Sequence, residues 1–169
     1  ISIGTTNITY TLPNTCAVSA TVTVNASPLP IGGTANTCVG GTSLLTNATP
    51  GGTWNSSNVT IASVDGVTGI VSGVANGTAT ISYTLGNGCK SSAFFTVNVL
   101  PTPITGTNEI CQGQTTYLVS SPAGGTWSTS DPFVAVKPKG LVTGMGAGVE
   151  TVTYSLGTGC MRTVNVTVD

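Results

Sequence analysis

The sequence predicts an all-β fold of small antiparallel β-sandwiches set end to end, and three observations predict it. Short runs such as 78-TATISYT-84 and 163-TVNVTV-168 alternate polar with apolar residues, the period of a strand with one buried face. Glycine, proline and asparagine punctuate these runs every few residues, and no 3.6-residue period persists anywhere. The third observation is an internal repeat: 51-GGTWNSS-57 returns as 124-GGTWSTS-130, 73 residues on, and these runs hold both tryptophans of the chain.

The same offset relates Cys38, in TCVGGTSLL, to Cys111, in ICQGQTTYL, and 28-PLPI-31 to 101-PTPI-104. Later it falls to 71, where 77-GTATISYTLGNGC-89 is answered by 148-GVETVTYSLGTGC-160. Comparing 61-IASVDGVTG-69 with 134-VAVKPKG-140 places the loss of two residues between Ala135 and Gly140. Gly4 to Cys16, GTTNITYTLPNTC, matches Gly77 to Cys89 at 73. The frame therefore divides the chain into residues 1–27, the last strands of a preceding repeat, and full repeats over 28–100 and 101–169. In the first full repeat strands are expected near 42–47, 52–56, 59–64, 69–73, 78–85 and 91–99, after a leading segment at 30–38. Seven short strands in about 70 residues describe a sandwich.

Charged residues make up 5% of the chain and the net charge is −1, against roughly 25% charged residues in an ordinary soluble domain. There is no basic footprint for nucleic acid, and no apolar run is long enough to span a membrane. Val and Ile in alternating runs argue against disorder, and an uncharged surface leaves strand edges open to association. The chain opens on Ile1 in mid-pattern with no signal peptide, which reads as a mature or excised fragment.

The run Trp54-x-Ser-Ser, then 61-IASV-64 and 69-GIVSGVANGTATI-81, resembles the bacterial immunoglobulin-like domain, group 2. Such domains stand in tandem in bacterial surface adhesins of the intimin and invasin kind. The added cysteines in C-V-G-G and G-N-G-C resemble those of long repetitive secreted proteins of Bacteroidota. The resemblance implies tandem immunoglobulin-like sandwiches and an extracellular or cell-surface location, and no particular ligand.

Candidates for chemistry are few. The chain has no histidine, and none of its five carboxylates (Asp65, Glu109, Asp131, Glu150, Asp169) recurs at an equivalent position of the two repeats. Paired-carboxylate catalysis, a serine nucleophile and a calcium site are therefore not expected, and neither an enzyme nor a cofactor is expected. Asp65 and Asp131 lie in turn-like stretches, where Asp caps backbone amides. Glycine-rich 140-GLVTGMGAG-148 lacks a P-loop lysine and reads as turns. Seven N-x-S/T sequons accompany a composition rich in Asn, Ser and Thr. Trp54 and Trp127 each follow a Gly-Gly bend on a middle strand, and are expected in the core rather than as sugar-stacking platforms. Tyr10, Tyr83 and Tyr154 share one position in the penultimate strand and are expected to be structural, each anchored by its hydroxyl.

Five cysteines without histidine suggest disulfides in an oxidising compartment. They form two classes: Cys38 and Cys111 precede the turn after the first strand, while Cys16, Cys89 and Cys160 follow the penultimate strand. Pairing inside each repeat gives Cys38–Cys89 and Cys111–Cys160, with Cys16 bonded to a partner outside the fragment. In an immunoglobulin-type sandwich, however, those two turns lie at opposite poles, on the order of 20 Å apart for strands of seven residues, while a disulfide requires Cα atoms within about 7 Å. End-to-end stacking instead favours Cys38–Cys160, a staple across the junction, with Cys16, Cys89 and Cys111 answering cysteines outside the fragment. Both pairings stay open at this point.

The functional expectation is a structural segment of an extracellular bacterial stalk, fibre or adhesin whose partners are neighbouring repeats of the same chain. Proline-bearing linkers (Pro28, Pro30, Pro101, Pro103) favour a rod. Two alternatives are a module binding a glycan or cell surface, and a filament subunit that self-associates by strand exchange.

Overall fold

A computed structural model describes residues 2–169. Strands carry nearly all the regular structure, and β1 (Gly4–Thr11) and β2 (Ala17–Val24) open the chain as a two-stranded antiparallel sheet. There follow β3 (Gly32–Gly33), β4 (Asn36–Cys38), β5 (Thr42–Thr46), β6 (Gly52–Ser56), β7 (Ala62–Val64), β8 (Ile70–Gly73), β9 (Gly77–Leu85) and β10 (Lys90–Asn98). The remainder is β11 (Glu109–Ile110), β12 (Thr115–Tyr117), β13 (Thr126–Thr129), β14 (Val134–Val136), a 3-10 turn at Pro138–Gly140, β15 (Leu141–Gly144), β16 (Gly148–Ser155) and β17 (Met161–Val168). The chain divides into two units, Ile1–Val97 and Asn98–Asp169. No helix among the described residues is long and apolar enough to cross a membrane.

In the first unit one sheet has the order β4-β10-β9-β6 and the facing one β3-β5-β8-β7. In the second unit the sheets are β11-β17-β16-β13 and β12-β15-β14. The two central hairpins share a register: Gly77 pairs with Val97 and Tyr83 with Ser91, as Gly148 pairs with Val168 and Tyr154 with Arg162. Alternation does the rest. Ala79, Ile81 and Tyr83 of β9 turn inward with Phe95 and Val97 of β10, meeting Leu45, Ala62 and Val71 from the other sheet. The second core uses Val152, Val166 and Val168 against Leu118, Val134 and Val142. Burying a side chain of this size stabilises by about 1.5–3 kcal/mol. Each unit holds a β-sandwich with its own core, largely antiparallel, although β11 runs parallel to β17.

Four expectations need correction. The leading segment 30–38 is two short strands, because Thr34 and Ala35 lie between β3 and β4, and residues 59–61 are a turn rather than strand. The two missing residues are not lost together. Ala62 pairs with Gly73 while Val134 pairs with Gly144, so one residue is already gone before β14. The other is lost in the turn, where 65-DGVTG-69 becomes 137-KPKG-140. Finally, Tyr10 is 67% exposed, not a core residue: its sheet has only two strands, so no opposite sheet closes over it.

Candidate functional site

The repeated Gly-Gly-Thr-Trp run builds the same knot in each sandwich. Trp54 on β6 pairs across the sheet with Tyr83 on β9, and Trp127 on β13 with Tyr154 on β16. The ring centroids are 4.8 Å and 4.7 Å apart, tilted by 55° and 48°, a geometry that aromatic quadrupoles favour. The backbone amide of Gly52 donates to the Tyr83 hydroxyl at 2.8 Å, and that hydroxyl donates to the Thr49 carbonyl at 2.7 Å. Gly125 N–H donates to the Tyr154 hydroxyl at 2.8 Å, which donates to the Pro122 carbonyl at 2.7 Å. Each tyrosine thus ties a bend to the penultimate strand.

The glycines are needed for space. A Cβ on Gly52 would lie 2.5 Å from the Tyr83 ring, and one on Gly125 would lie 2.4 Å from that of Tyr154. Gly140, at φ +79°, closes the far side: a Cβ there would meet the Leu118 carbonyl oxygen at 2.0 Å and the Trp127 ring at 3.1 Å. Trp54 is 7% exposed and Trp127 half-buried. Trp54 is thus packed into the core, while Trp127 keeps part of its surface in a groove. A shallow groove of about 410 Å³ runs beside Trp127, between Ser120, Gly124 and Lys139, and one of about 270 Å³ lies at the matching place beside Trp54.

Of the carboxylates, Asp65 caps its turn. Its Oδ1 accepts from the Val67 amide at 3.0 Å, the Thr68 amide at 2.7 Å and the Thr68 hydroxyl at 2.8 Å. The Thr68 amide and hydroxyl, then the Val67 amide, hold its carboxyl below the ordinary value. Asp131 acts in the opposite sense, as its amide donates to Glu150 Oε1. Glu150 itself is 2% exposed on an inward position of β16, a role the sequence reading missed. Its Oε2 accepts from the Val134 amide at 2.9 Å. In the first sandwich the equivalent amide, Ala62 N–H, donates to the Asn58 carbonyl. The loop before β14 is one residue shorter, and Glu150 supplies the acceptor that the shortened backbone no longer provides. Among the described residues, no three His, Cys, Asp or Glu converge as metal ligands.

Cys38 and Cys160 are each disulfide-bonded, while Cys16, Cys89 and Cys111 are free thiols. The pairs Cys38–Cys89 and Cys111–Cys160 therefore do not form. The second sandwich shows the reason. Gln112 N–H donates to the Asp169 carbonyl, and Asp169 N–H to the Ile110 carbonyl, which places Cys111 at the end of β17. Cys160 precedes the start of that strand, whose eight residues span about 26 Å.

Residues 19–94 match the family model of the bacterial Ig-like domain (group 2). No curated protein matches the chain. Among solved structures, the C-terminal 282-residue fragment of intimin, in complex with the intimin-binding domain of the translocated intimin receptor, is similar at TM-score 0.54 and 14% identity. That similarity covers 85% of this chain and 65% of the intimin fragment. Domains 4 and 5 of the S-layer protein SbsC match at TM-score 0.40 and 17% identity, over 85% of this chain and 99% of theirs. The intimin similarity bears on the fold alone.

Proposed function

We propose that the chain is a structural repeat segment of an extracellular bacterial stalk, fibre or adhesin, providing reach and mechanical continuity. The observation that carries this reading is what the two sandwiches have in common. They repeat the tyrosine-to-bend hydrogen bonds and the tryptophan beneath them, with closely matched lengths. Their surfaces differ: Phe94, 77% exposed, is answered by Asn165. Repetition of the scaffold without repetition of a surface is what a spacer requires.

Cys38 and Cys160 bond to each other in this account. The support is that both are disulfide-bonded while the other three cysteines are free thiols. The staple, with the proline-bearing linker 101-PTPI-104, stiffens the junction. Disulfide bonding also favours an oxidising, extracellular setting. The low surface charge makes lateral self-association a second feature of the same segment.

Small-angle scattering of the oxidised monomer tests the rod. A compact globule of this length has a radius of gyration of about 15 Å; a clearly larger value and an elongated distance distribution are expected. A value near 15 Å rejects the reading.

A glycan-binding module is the second reading, favoured by the groove of about 410 Å³ beside Trp127. A glycan array decides it: binding lost on Lys139→Ala would support it, and no binding would remove it.

A further inference from the structure

The hairpin β1–β2 repeats the central hairpin of the first sandwich in register and in both faces. Gly4 pairs with Val24, Ile8 with Ala20 and Tyr10 with Val18, as Gly77 pairs with Val97, Ile81 with Ala93 and Tyr83 with Ser91. One face is a polar ladder: Thr5 meets Thr23, Thr21 donates to Asn7 at 2.8 Å, and Thr9 meets Ser19 at 3.2 Å. The Thr9–Ser19 contact matches the Ser82–Ser92 pair at 2.9 Å in the first sandwich.

The other face is apolar and open. Ile8 is 59%, Tyr10 67% and Val18 67% exposed, whereas the equivalent Ile81 and Tyr83 are 0% and 6% exposed. In both complete sandwiches the opposite sheet covers this face, and a Gly-Gly-Thr-Trp run joins the tyrosine's own sheet beside it, its tryptophan meeting the tyrosine ring and its second glycine donating to the hydroxyl.

We infer that the Ile8–Tyr10–Val18 face is an acceptor surface for a β-strand segment of the same pattern as residues 28–73. The segment's Gly-Gly-Thr-Trp run docks on Tyr10, its tryptophan against the ring and its glycine amide on the hydroxyl. The occupant is defined by chemistry: a Gly-Gly bend to clear the tyrosine ring, one tryptophan, and an inward apolar strand equivalent to β8 to meet Ile8. An exposed apolar face of this kind marks an interaction site, and strand addition supplies main-chain hydrogen bonds as well as side-chain pockets. The inference does not depend on the stalk reading, since it concerns what the hairpin binds rather than what the assembly does.

The test places a copy of residues 28–73 directly ahead of Ile1 in the full chain, which preserves the 73-residue spacing of the repeat. Amide hydrogen exchange is then followed separately over residues 4–24 and 77–97. Exchange in 4–24 is expected to slow by at least about a hundredfold, towards the rate of 77–97. In that fused chain, Ile8→Asp is expected to abolish the protection. Thr21→Asp, on the polar face at the position of exposed Phe94, is expected to leave it intact. Unchanged exchange in 4–24, with 77–97 still protected, would overturn the inference. So would equal effects of the two aspartates. Protection of 4–24 in the unfused chain that grows with protein concentration and persists in Ile8→Asp would place the self-contact elsewhere, and would overturn it too.

Discussion

The backbone amide of Gly52 donates to the hydroxyl of Tyr83 at 2.8 Å, from a bend 31 residues earlier in the chain. That bond, its continuation to the Thr49 carbonyl and the tryptophan under the ring form one unit. Tyr83→Phe should destabilise the first sandwich by about 1–2 kcal/mol, because a half-buried amide and carbonyl lose their partner together. Tyr154→Phe should do the same in the second. Chemical denaturation followed by tryptophan fluorescence measures both.

The bend glycine is expected to be harder to replace than the tyrosine hydroxyl. Gly52→Ala puts a methyl 2.5 Å from the Tyr83 ring, and overpacking of this kind costs about 1–3 kcal/mol or more. Gly86→Ala, where a Cβ meets nothing within 4 Å, should stay within about 0.5 kcal/mol. Thermal unfolding of the two variants gives the comparison.

Glu150 holds two backbone amides that the shortened loop leaves without an acceptor. Glu150→Ala should cost about 2–4 kcal/mol, and Glu150→Gln less, since one carboxamide oxygen can still accept. Ala79 occupies the equivalent position of the first sandwich. Denaturant midpoints of the second sandwich, read at Trp127, should fall in the order wild type, Gln, Ala.

Asp65 predicts a pH dependence with a definite sign. Its folded pKa lies below the ordinary 3.8, chiefly through the Thr68 amide and hydroxyl. The stabilisation is therefore fully present above 3.8 and is lost as pH falls through the lower folded value. Asp65→Asn should flatten this part of the stability curve while leaving the region above pH 5 nearly parallel to wild type. Thermal melts between about pH 6 and pH 2 would show it.

Much of the fold was legible in the sequence because the repeat carries its own ruler. Gly51–Trp54 and Gly124–Trp127 set the register, and the positions it aligns include Gly52 and Gly125, which the tyrosine rings leave no room to replace. Tyr10 shows where the ruler misleads: its place in the strand is the same, but burial belongs to the opposite sheet, not to the strand. Glu150 escaped notice for a different reason. Its partner amides lie in a loop whose shortening becomes visible only when the register of β7 is set against that of β14. An acidic residue standing where the other repeat has inward-facing Ala79 was the available signal. The cysteines were legible as two classes, because strand length alone separates the poles of a sandwich.

The proposed staple between Cys38 and Cys160 is tested most directly by pulling the chain by its two ends. With that bond intact the roughly 120 residues between the two cysteines are bypassed by the load. Single-molecule stretching of the oxidised chain should then end about 400 Å short of the reduced chain, at 3.3–3.6 Å per residue. Equal extensions under oxidising and reducing conditions would contradict the staple.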